Sequence, residues 1–533
     1  MEHADVLVVG AGASGGVVTG ALAEAGFDVV CLEQGHWPDR TEFPALRPTY
    51  ELEARGGWGG NPTLRGKPED YPVNETDSDI ATLMYNGVGG SMVLYAADWP
   101  RLLPSDFRTR ALDGVGDDWP LTYRDLQPFY ERTDRAFGVS GLAGDTSVPA
   151  GAEFPLPPLP IGDGALRMAR AHDRLKWHWW PAPNAVLSRP YQGRNACAHY
   201  GSCMQGCPEG AKASTDVTHW PNAIKAGARL ITGARVSRIL TDAQGLAIGA
   251  EYVDPEGNWH VVKADVVVLA ANSVGTARIL LNSASPRFPH GLANSSGLVG
   301  KRLMVHPFAN VTGYFDEPVD AGGHVGAKIV SYEFYETDTA RDFVRGAKWS
   351  LAPTGGPLNA ALPSRAGNSV WGKEHHAHVR AHLGHSLSWC IFGEDLPDED
   401  NRVEIDSSLT DCSGIPAPKV TYRVGENSRR LLDFNIEQAQ RSFAEAGAHR
   451  TAVESLMRFS GWHLLGTARM GDDPATSVVD GWGRAHDVPN LYIADGSAFV
   501  TSGAVNPTST IVSLALRNTE HLIENRREQR TPR

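Results

Sequence analysis

The amino-acid sequence predicts an α/β fold, and three of its stretches carry that prediction. Residues 5–9 (DVLVV) form a short, mostly β-branched apolar run that passes directly into the turn GAGASG. Residues 264–281 (ADVVVLAANSVGTARILL) make the same step from a buried strand through small residues into a helix. Residues 490–522 (NLYIADGSAFVTSGAVNPTSTIVSLALRNTEHL) make it a third time. Unbroken apolar runs that feed helical patterns are the mark of parallel strands covered on both faces.

Bulk properties set the outer limits. At 533 residues and 57.4 kDa the chain exceeds the size at which one core keeps growing, so two or more structural units are expected. Lys and Arg number 49 against 62 Asp and Glu, a formal net charge of -13. That balance argues against a nucleic-acid partner, because phosphate binding needs a basic excess. No apolar run reaches the length of a membrane span, so no integral membrane segment is expected. The tail NTEHLIENRREQRTPR (518–533) reads as a surface helix with a frayed end. The N-terminus enters a buried-strand pattern at once and leaves no room for a cleavable leader, which makes the expected location cytoplasmic. Six cysteines are too few for a disulfide scaffold and suit reduced thiols.

The first turn carries chemistry. Gly10, Gly12 and Gly15, with Ala13 and Ser14 before the last, spell G-x-G-x-x-G directly after the first strand. Residues 16–26 read as a helix and 27–32 as a second strand ending at Glu33, a βαβ unit of about thirty residues. The first glycine makes the turn, the second lets backbone approach a pyrophosphate, and the third lets helix and strand pack closely. Phosphates sit at the helix N-terminus, where free N–H groups and the helix dipole favour negative charge. Glu33 stands eighteen residues past Gly15, where it can accept hydrogen bonds from a ribose diol. A glycine turn of purely structural use would need neither that acid nor the second strand.

This motif alone does not choose between a nicotinamide and a flavin. Three further stretches do: NGVGGSM (86–92) is a second glycine-rich turn, GWHLLGTARMG (461–471) contains H-x-x-G-T-x-x-M-G, and IADGSAFVTSGAVNPTSTI spans residues 493–511. With these in order over essentially the whole chain, the sequence resembles the glucose-methanol-choline (GMC) family of FAD-dependent oxidoreductases. The resemblance implies FAD, a Rossmann-like FAD-binding domain and a second, α+β substrate domain built on a large antiparallel sheet. Both would be discontinuous: residues 1–45, 80–100, 195–300 and 455–533 for the flavin, and 46–79, 101–194 and 301–454 for the substrate-binding cover. It places Gly10, Gly12, Ala13, Ser14, Gly15 and Glu33 at the ADP half and Val236 near the adenine. Gly87, Gly89, Gly90 and Ser91 would run beside the flavin, and Asp495, Gly496, Pro507 and Thr508 would meet its ribityl chain and ring. Some sugar oxidases of the family attach FAD through a histidine just after the second turn. Here SMVLYAADW puts Leu94 and its neighbours there, so non-covalent FAD is expected.

Oxidising an alcohol needs a hydride acceptor, which flavin N5 supplies, and a base for the hydroxyl proton. Histidine suits the second task near neutral pH, but most of the 19 histidines must be structural. The resemblance singles out His463 as the base, with Asn506 hydrogen-bonding the substrate oxygen as charge develops on it. It implies oxidation of a CH–OH group on a small-molecule alcohol, with sugars and glycosides foremost. Oxygen, a quinone or a partner protein would then accept the electrons. Two other readings remain open, the flavin subunit of an electron-transfer dehydrogenase complex and a non-redox FAD-containing lyase of the same fold. WHWW (177–180) offers rings that could stack on a sugar, although aromatics beside prolines are more often packing, and nothing local gives His382 or His385 a role.

Three cysteines cluster in CAHYGSCMQGCPEGAK (197–212). Cys197, Cys203 and Cys207 follow C-x5-C-x3-C-P, which resembles the loop that ligates a three-iron cluster in membrane-coupled dehydrogenase relatives. Zinc would lack a fourth thiolate, although His199 is near. A structural loop of thiols is the default expectation and an iron–sulfur cluster the alternative. A helix over 214–230 and a strand over 234–240 should follow the loop.

Overall fold

The first apolar run folds as the strand Glu2–Val9, and the glycine turn carries it into the helix Ala13–Glu24, three residues earlier than the sequence pattern suggested. The chain returns as Val29–Glu33, parallel to the first strand with Val6 opposite Val29 and Val9 opposite Leu32. This is a computed structural model, and it describes residues 2–47, 49–319, 326–354, 356–361 and 371–530. Trp259–Leu269 pairs parallel with the other side of the first strand, and Arg229–Thr232 extends the far edge beyond Val29–Glu33. The long strand Trp259–Leu269 divides its free side between two partners. Residues 259–263 pair antiparallel with Ala247–Val253, which continues to Arg235–Thr241, whereas 267–269 pair parallel with Leu491–Ile493.

The period of two in these strands is visible in the packing. Val6, Val8, Val29, Val266 and Val268 face one layer, where they meet Val17, Val18 and Leu22 of the first helix and Val512 and Ala515 of the last. Leu7, Val9, Val30, Leu32, Val267 and Leu269 face the opposite layer. Both faces are dry, which is why the runs contain no polar alternation.

A second, antiparallel sheet has six strands in the order Arg450–Glu454, Phe308–Tyr314, Ser386–Gly393, Ala347–Pro353, Ile329–Ser331 and Trp180–Pro181. Ala309, Val311, Trp349, Leu351, Leu387, Trp389 and Ile391 point to one face. There they pack with Met168 of the helix Gly162–Leu175 and with Leu431 and Phe443 of the helix Glu426–Glu445. The alternate residues, among them Asn310, Thr312, Ser350 and Ser388, point the other way, into a cavity. A small third sheet joins Arg402–Thr410, Pro416–Tyr422 and Asn74–Ser78.

Two expectations need correction. The helix expected over 214–230 is two short ones, Thr215–Thr218 and Trp220–Lys225. Pro221 sits at the start of the second, where its missing N–H is harmless, but it cannot continue a helix through that point. The C-terminal tail is helical as part of Thr508–Arg530, yet Asn518, Thr519, Leu522 and Ile523 are buried, so it is not a surface helix at its root. Among the described residues no helix is long and apolar enough to cross a membrane.

Candidate active site

A cavity of about 890 Å³ lies between the α/β sheet and the polar face of the antiparallel sheet. It opens at the carboxyl ends of Glu2–Val9 and Val29–Glu33, the edge at which open α/β sheets hold ligands. The first turn explains its inner end. A methyl group on Gly15 would lie 1.8 Å from the Gly10 carbonyl oxygen, so this glycine is what lets helix and strand close. A methyl on Gly12 would meet nothing nearer than the Gly90 Cα at 3.6 Å, so the protein's own packing does not demand that glycine. Gly12 lines the cavity, as do Gly10, Ala13 and Ser14. An open backbone face of this kind fits a group that must approach the main chain closely.

The second glycine turn braces the first. Gly89 donates its N–H to the Ala11 carbonyl at 3.0 Å, and the Trp220 indole donates to the same oxygen at 3.0 Å. Gly90 and Ser91 line the cavity, whereas Gly15, Gly87 and Gly89 stand behind it and shape the turns. Glu33 lines the cavity while its carboxylate accepts the N–H groups of Ala11 and Gly35 at 2.8 and 2.9 Å. Burial raises its pKa, and those backbone donors hold it back. Val236, Asp495, Gly496, Pro507 and Thr508 are all on the wall. Asp495 is buried and accepts from Ser497 N at 2.9 Å and Thr276 Oγ1 at 2.6 Å. Two helix starts, at Ala13 and Thr508, reach the cavity with their free N–H groups, whereas at the third, Asn272, the side-chain oxygen accepts from Val274 N and Gly275 N at 3.0 and 3.1 Å. A long cavity with an open glycine face, a terminal acid and two helix N-termini with free N–H groups fits a flavin dinucleotide.

At the other end, His463 and Asn506 meet. His463 is recessed with part of its ring on the cavity, and its Nδ1 lies 2.9 Å from Nδ1 of His306, while its Nε2 lies 3.3 Å from the Asn506 amide nitrogen. The protons can be assigned from groups that have no choice. The Gly503 carbonyl only accepts, so His306 Nε2, bonded to it, carries the hydrogen. Burial holds His306 down at about 4, so the ring is neutral near pH 7 and its Nδ1 must accept. His463 Nδ1 therefore donates, and the lone pair of His463 is on Nε2. The Lys348 ammonium only donates, and it bonds Asn506 Oδ1 at 2.6 Å, which turns Nδ2 of that amide toward His463. Burial first, then His306 and the charge of Lys348, hold His463 well below the ordinary imidazole range.

The wall above this pair belongs to the antiparallel sheet. Phe308 and Phe392 meet edge to face with centroids 4.5 Å apart, and Phe392 stacks on His463 at 5.8 Å. Beyond them the sheet face is polar, with Asn310, Thr312, Ser350, Ser388 and Cys390, and the carboxyl groups of Asp98 and Glu454 also stand on the wall. Farther out Arg450 lies over Tyr314 and donates to His382 Nε2 at 2.9 Å. His382 lines the cavity and His385 does not, and Trp177, Trp179 and Trp180 of WHWW also stay off the wall. Trp177 and Trp179 pack against the sheet core, so these aromatics are structural. His306, Lys348, Asp98 and this polar row were not singled out in the sequence. The one signal of Lys348 and the polar row was alternation within strands, which does not say whether a polar face meets water or a cavity, and His306 and Asp98, outside the strands, had none.

The cysteine loop also reaches the wall, through Tyr200–Gln205. None of the six cysteines is disulfide-bonded. Among the described residues no group of three or more His, Cys, Asp or Glu side chains comes together as a metal site. Burial pushes the Cys197 thiol up to about 11 and raises Cys203, so both are held as thiols. What fixes the loop is Lys212: its buried ammonium donates to the carbonyls of Val93, Tyr95 and Cys203 at 2.8, 3.0 and 2.5 Å.

Comparison with known proteins agrees with this geometry. A family model described as GMC oxidoreductase matches residues 186–308, and a second with the same description matches 397–515. The chain is 42% identical over 530 residues to 2-methyl-1,2-propanediol dehydrogenase of Mycolicibacterium austroafricanum, covering 98% of this chain and 95% of that protein. It is 31% identical over 545 residues to the fructose dehydrogenase large subunit of Gluconobacter japonicus, covering 98% of each. Pyridoxine 4-oxidase from Mesorbium loti superposes with a TM-score of 0.68 over 97% of this chain and 98% of that one. At 17% identity that likeness speaks for the fold alone.

Proposed function

The chain belongs to the GMC family of FAD-dependent oxidoreductases acting on CH–OH groups, and on that premise we propose that it oxidises one alcohol of a small polyhydroxylated molecule, a diol, polyol, sugar or glycoside, with His463 as base. One observation carries the reading: the lone pair of His463 Nε2 and the Asn506 Nδ2–H group stand together at the end of the cavity, beside a sheet face that offers the amide of Asn310 and the hydroxyls of Thr312, Ser350 and Ser388. Bound FAD would supply the hydride acceptor, held without a covalent link because Val93, Leu94 and Tyr95 follow the second turn where a histidine would be needed. On this reading the α/β sheet is the flavin unit and the antiparallel sheet the substrate cover.

His463 takes the hydroxyl proton at Nε2. Because its surroundings disfavour the imidazolium, it is free of a proton at neutral pH and accepts one only as negative charge builds on the adjacent oxygen. The positive charge then on the ring is shared through Nδ1–H with His306 and the Gly503 carbonyl. Asn506 Nδ2 donates to the same substrate oxygen. Phe308 and Phe392 keep water from the reacting end, and the hydroxyls of Thr312, Ser350 and Ser388 meet the remaining hydroxyls of the substrate. Oxygen, a quinone or a partner protein would then take the electrons from the reduced flavin. The Cys197–Cys203–Cys207 loop serves this reading as a pinned structural wall.

Anaerobic mixing with a panel of diols, polyols and sugars tests the proposal. Wild-type flavin absorption should bleach, and His463→Ala should keep its yellow FAD yet bleach slower by roughly two orders of magnitude or more. Near-normal bleaching of that variant would sink the assignment of the base. Measuring oxygen uptake against dye reduction on the same samples separates the electron acceptors.

A further inference from the structure

Lys348 is the second residue of the strand Ala347–Pro353, and its side chain is wholly buried. An ammonium in such a place loses its hydration, and one ion pair seldom makes that good, whereas an apolar side chain of similar length would pack without penalty. The partner is Asp98, whose Oδ2 accepts from Lys348 Nζ and from Ser350 Oγ at 2.8 Å. Asp98 Oδ1 is buried with no hydrogen-bond partner among the described residues, so the pair is poorly satisfied as a stabilising device. The remaining bond of known geometry explains why it is there: Lys348 Nζ to Asn506 Oδ1 at 2.6 Å.

A carboxamide is nearly symmetric in shape and opposite in chemistry at its two ends. Turned half-way round, Asn506 would present Oδ1 to the lone pair of His463 Nε2 and Nδ2 to an ammonium, and both contacts would repel. Lys348 has only donors and forbids that orientation. We infer that the Asp98–Lys348 pair is a positioning device that locks the Asn506 amide with Nδ2 toward His463 and the reacting oxygen, an inference that rests on the alcohol-oxidising reading above. Lys348 does not line the cavity, so it acts through Asn506 and through its field, not by touching substrate.

The field has a readable consequence. The titratable and charged groups around His463 are His306 on one side and Lys348 on the other, with Asp98 and the Cys390 thiol behind Lys348. His306 is neutral, and Cys390 is pushed up to about 12 by burial and so is neutral too. Removing the ammonium takes away the positive charge nearest His463, whereas the Asp98 carboxylate that offsets it stands behind Lys348 and acts on His463 less. The acid limb of kcat/KM, which reports that proton, should then move to higher pH.

Three variants test this as FAD-loaded enzymes: Lys348→Met, the double variant Asp98→Asn/Lys348→Met, and Lys348→Gln, which keeps a donor for Asn506 without the charge. Anaerobic stopped-flow with an alcohol that bleaches the wild type is the assay. A wild type that no alcohol bleaches would refute the underlying reading, and Lys348 would not be at issue. With a reducible wild type, the double variant should hold FAD in full yet reduce it roughly 10- to 100-fold slower, with KM nearly unchanged and the acid limb shifted upward. Lys348→Gln should recover several-fold of the lost rate while keeping the shifted limb. A double variant that reduces FAD within twofold of wild type, or whose acid limb stays in place, overturns the inference. So does a double variant that fails to fold, since the pair would then serve the fold and not the amide.

Discussion

Alanine at Gly12 and at Gly15 should do opposite things, and the difference measures what each glycine is for. At Gly15 the new methyl would lie 1.8 Å from the Gly10 oxygen and 3.0 Å from its carbonyl carbon, backbone atoms with no rotamer to escape into. The helix Ala13–Glu24 must then back away from the strand by more than an ångström. That opens the contact of Val17, Val18 and Leu22 with Val6, Val8 and Val29. Overpacking costs about 1–3 kcal/mol and occasionally more, and a backbone clash this close belongs at the top, about 3 kcal/mol lost with or without FAD. At Gly12 the backbone is extended at φ -77°, and the nearest atom to a methyl is 3.6 Å away. Gly12→Ala should leave the apoprotein within about 0.5 kcal/mol of wild type. With cofactor the order reverses in meaning: the methyl occupies the open face of the turn, and FAD should bind at least about 100-fold more weakly, some 2.7 kcal/mol. Thermal melts of flavin-stripped protein, flavin-to-protein absorbance ratios and FAD titration read all of this. A Gly12→Ala apoprotein as unstable as Gly15→Ala, or one with wild-type FAD affinity, would refute the division of labour.

Two further perturbations follow from buried cations and imidazoles. Lys212→Met would strip three carbonyls, those of Val93, Tyr95 and Cys203, of their shared donor. Stability should fall by about 3 kcal/mol or more, with faster proteolysis and thiol labelling at residues 197–207, and an unchanged melt would show that the lysine does not hold the loop. His172 is held down at about 4, chiefly by burial, while its Nδ1 donates to the His178 carbonyl and its Nε2 accepts from Ser442. The unfolded chain takes up that proton near 6.5 and the folded chain resists it, so stability present above pH 6.5 is lost as pH falls toward 4, by about 3 kcal/mol in all. His172→Gln should be less stable at pH 7.5 yet lose correspondingly less between pH 7.5 and 5 in urea titrations. An acid slope equal to that of wild type would contradict the assignment.

On the proposed reading, the end of the cavity that would hold the flavin was legible in the sequence because phosphate and ribose recognition is local. Glycines at fixed spacing, a strand and one terminal acid all fall within residues 5–33, and the structure brings them together. The substrate end was not. FANVTGY (308–314) and SLSWCIFG (386–393) show the alternation of any half-exposed strand, and only the three-dimensional arrangement turns their polar faces onto a cavity. Neither Lys348 nor His306 belongs to a motif. Lys212 stood in plain view at the end of CPEGAK, but two of its partners lie 119 and 117 residues away. Cysteine spacing says nothing of the lysine that holds the Cys203 carbonyl.

The divided strand Trp259–Leu269 makes the order of synthesis matter. Its first five residues are matched by the hairpin strand Ala247–Val253, which precedes them out of the ribosome. Val267–Leu269 wait for Leu491–Ile493, more than 200 residues later. At about 5–20 residues per second that is roughly 10–45 s during which an apolar strand edge stands open in the nascent chain. The segment that finally covers it leads directly into Asp495, Asn506 and the last helix, and His463 has emerged only shortly before. The growing polypeptide therefore has a long interval in which it can aggregate or recruit a chaperone, and it acquires a place to hold the flavin only when nearly all of it has been made.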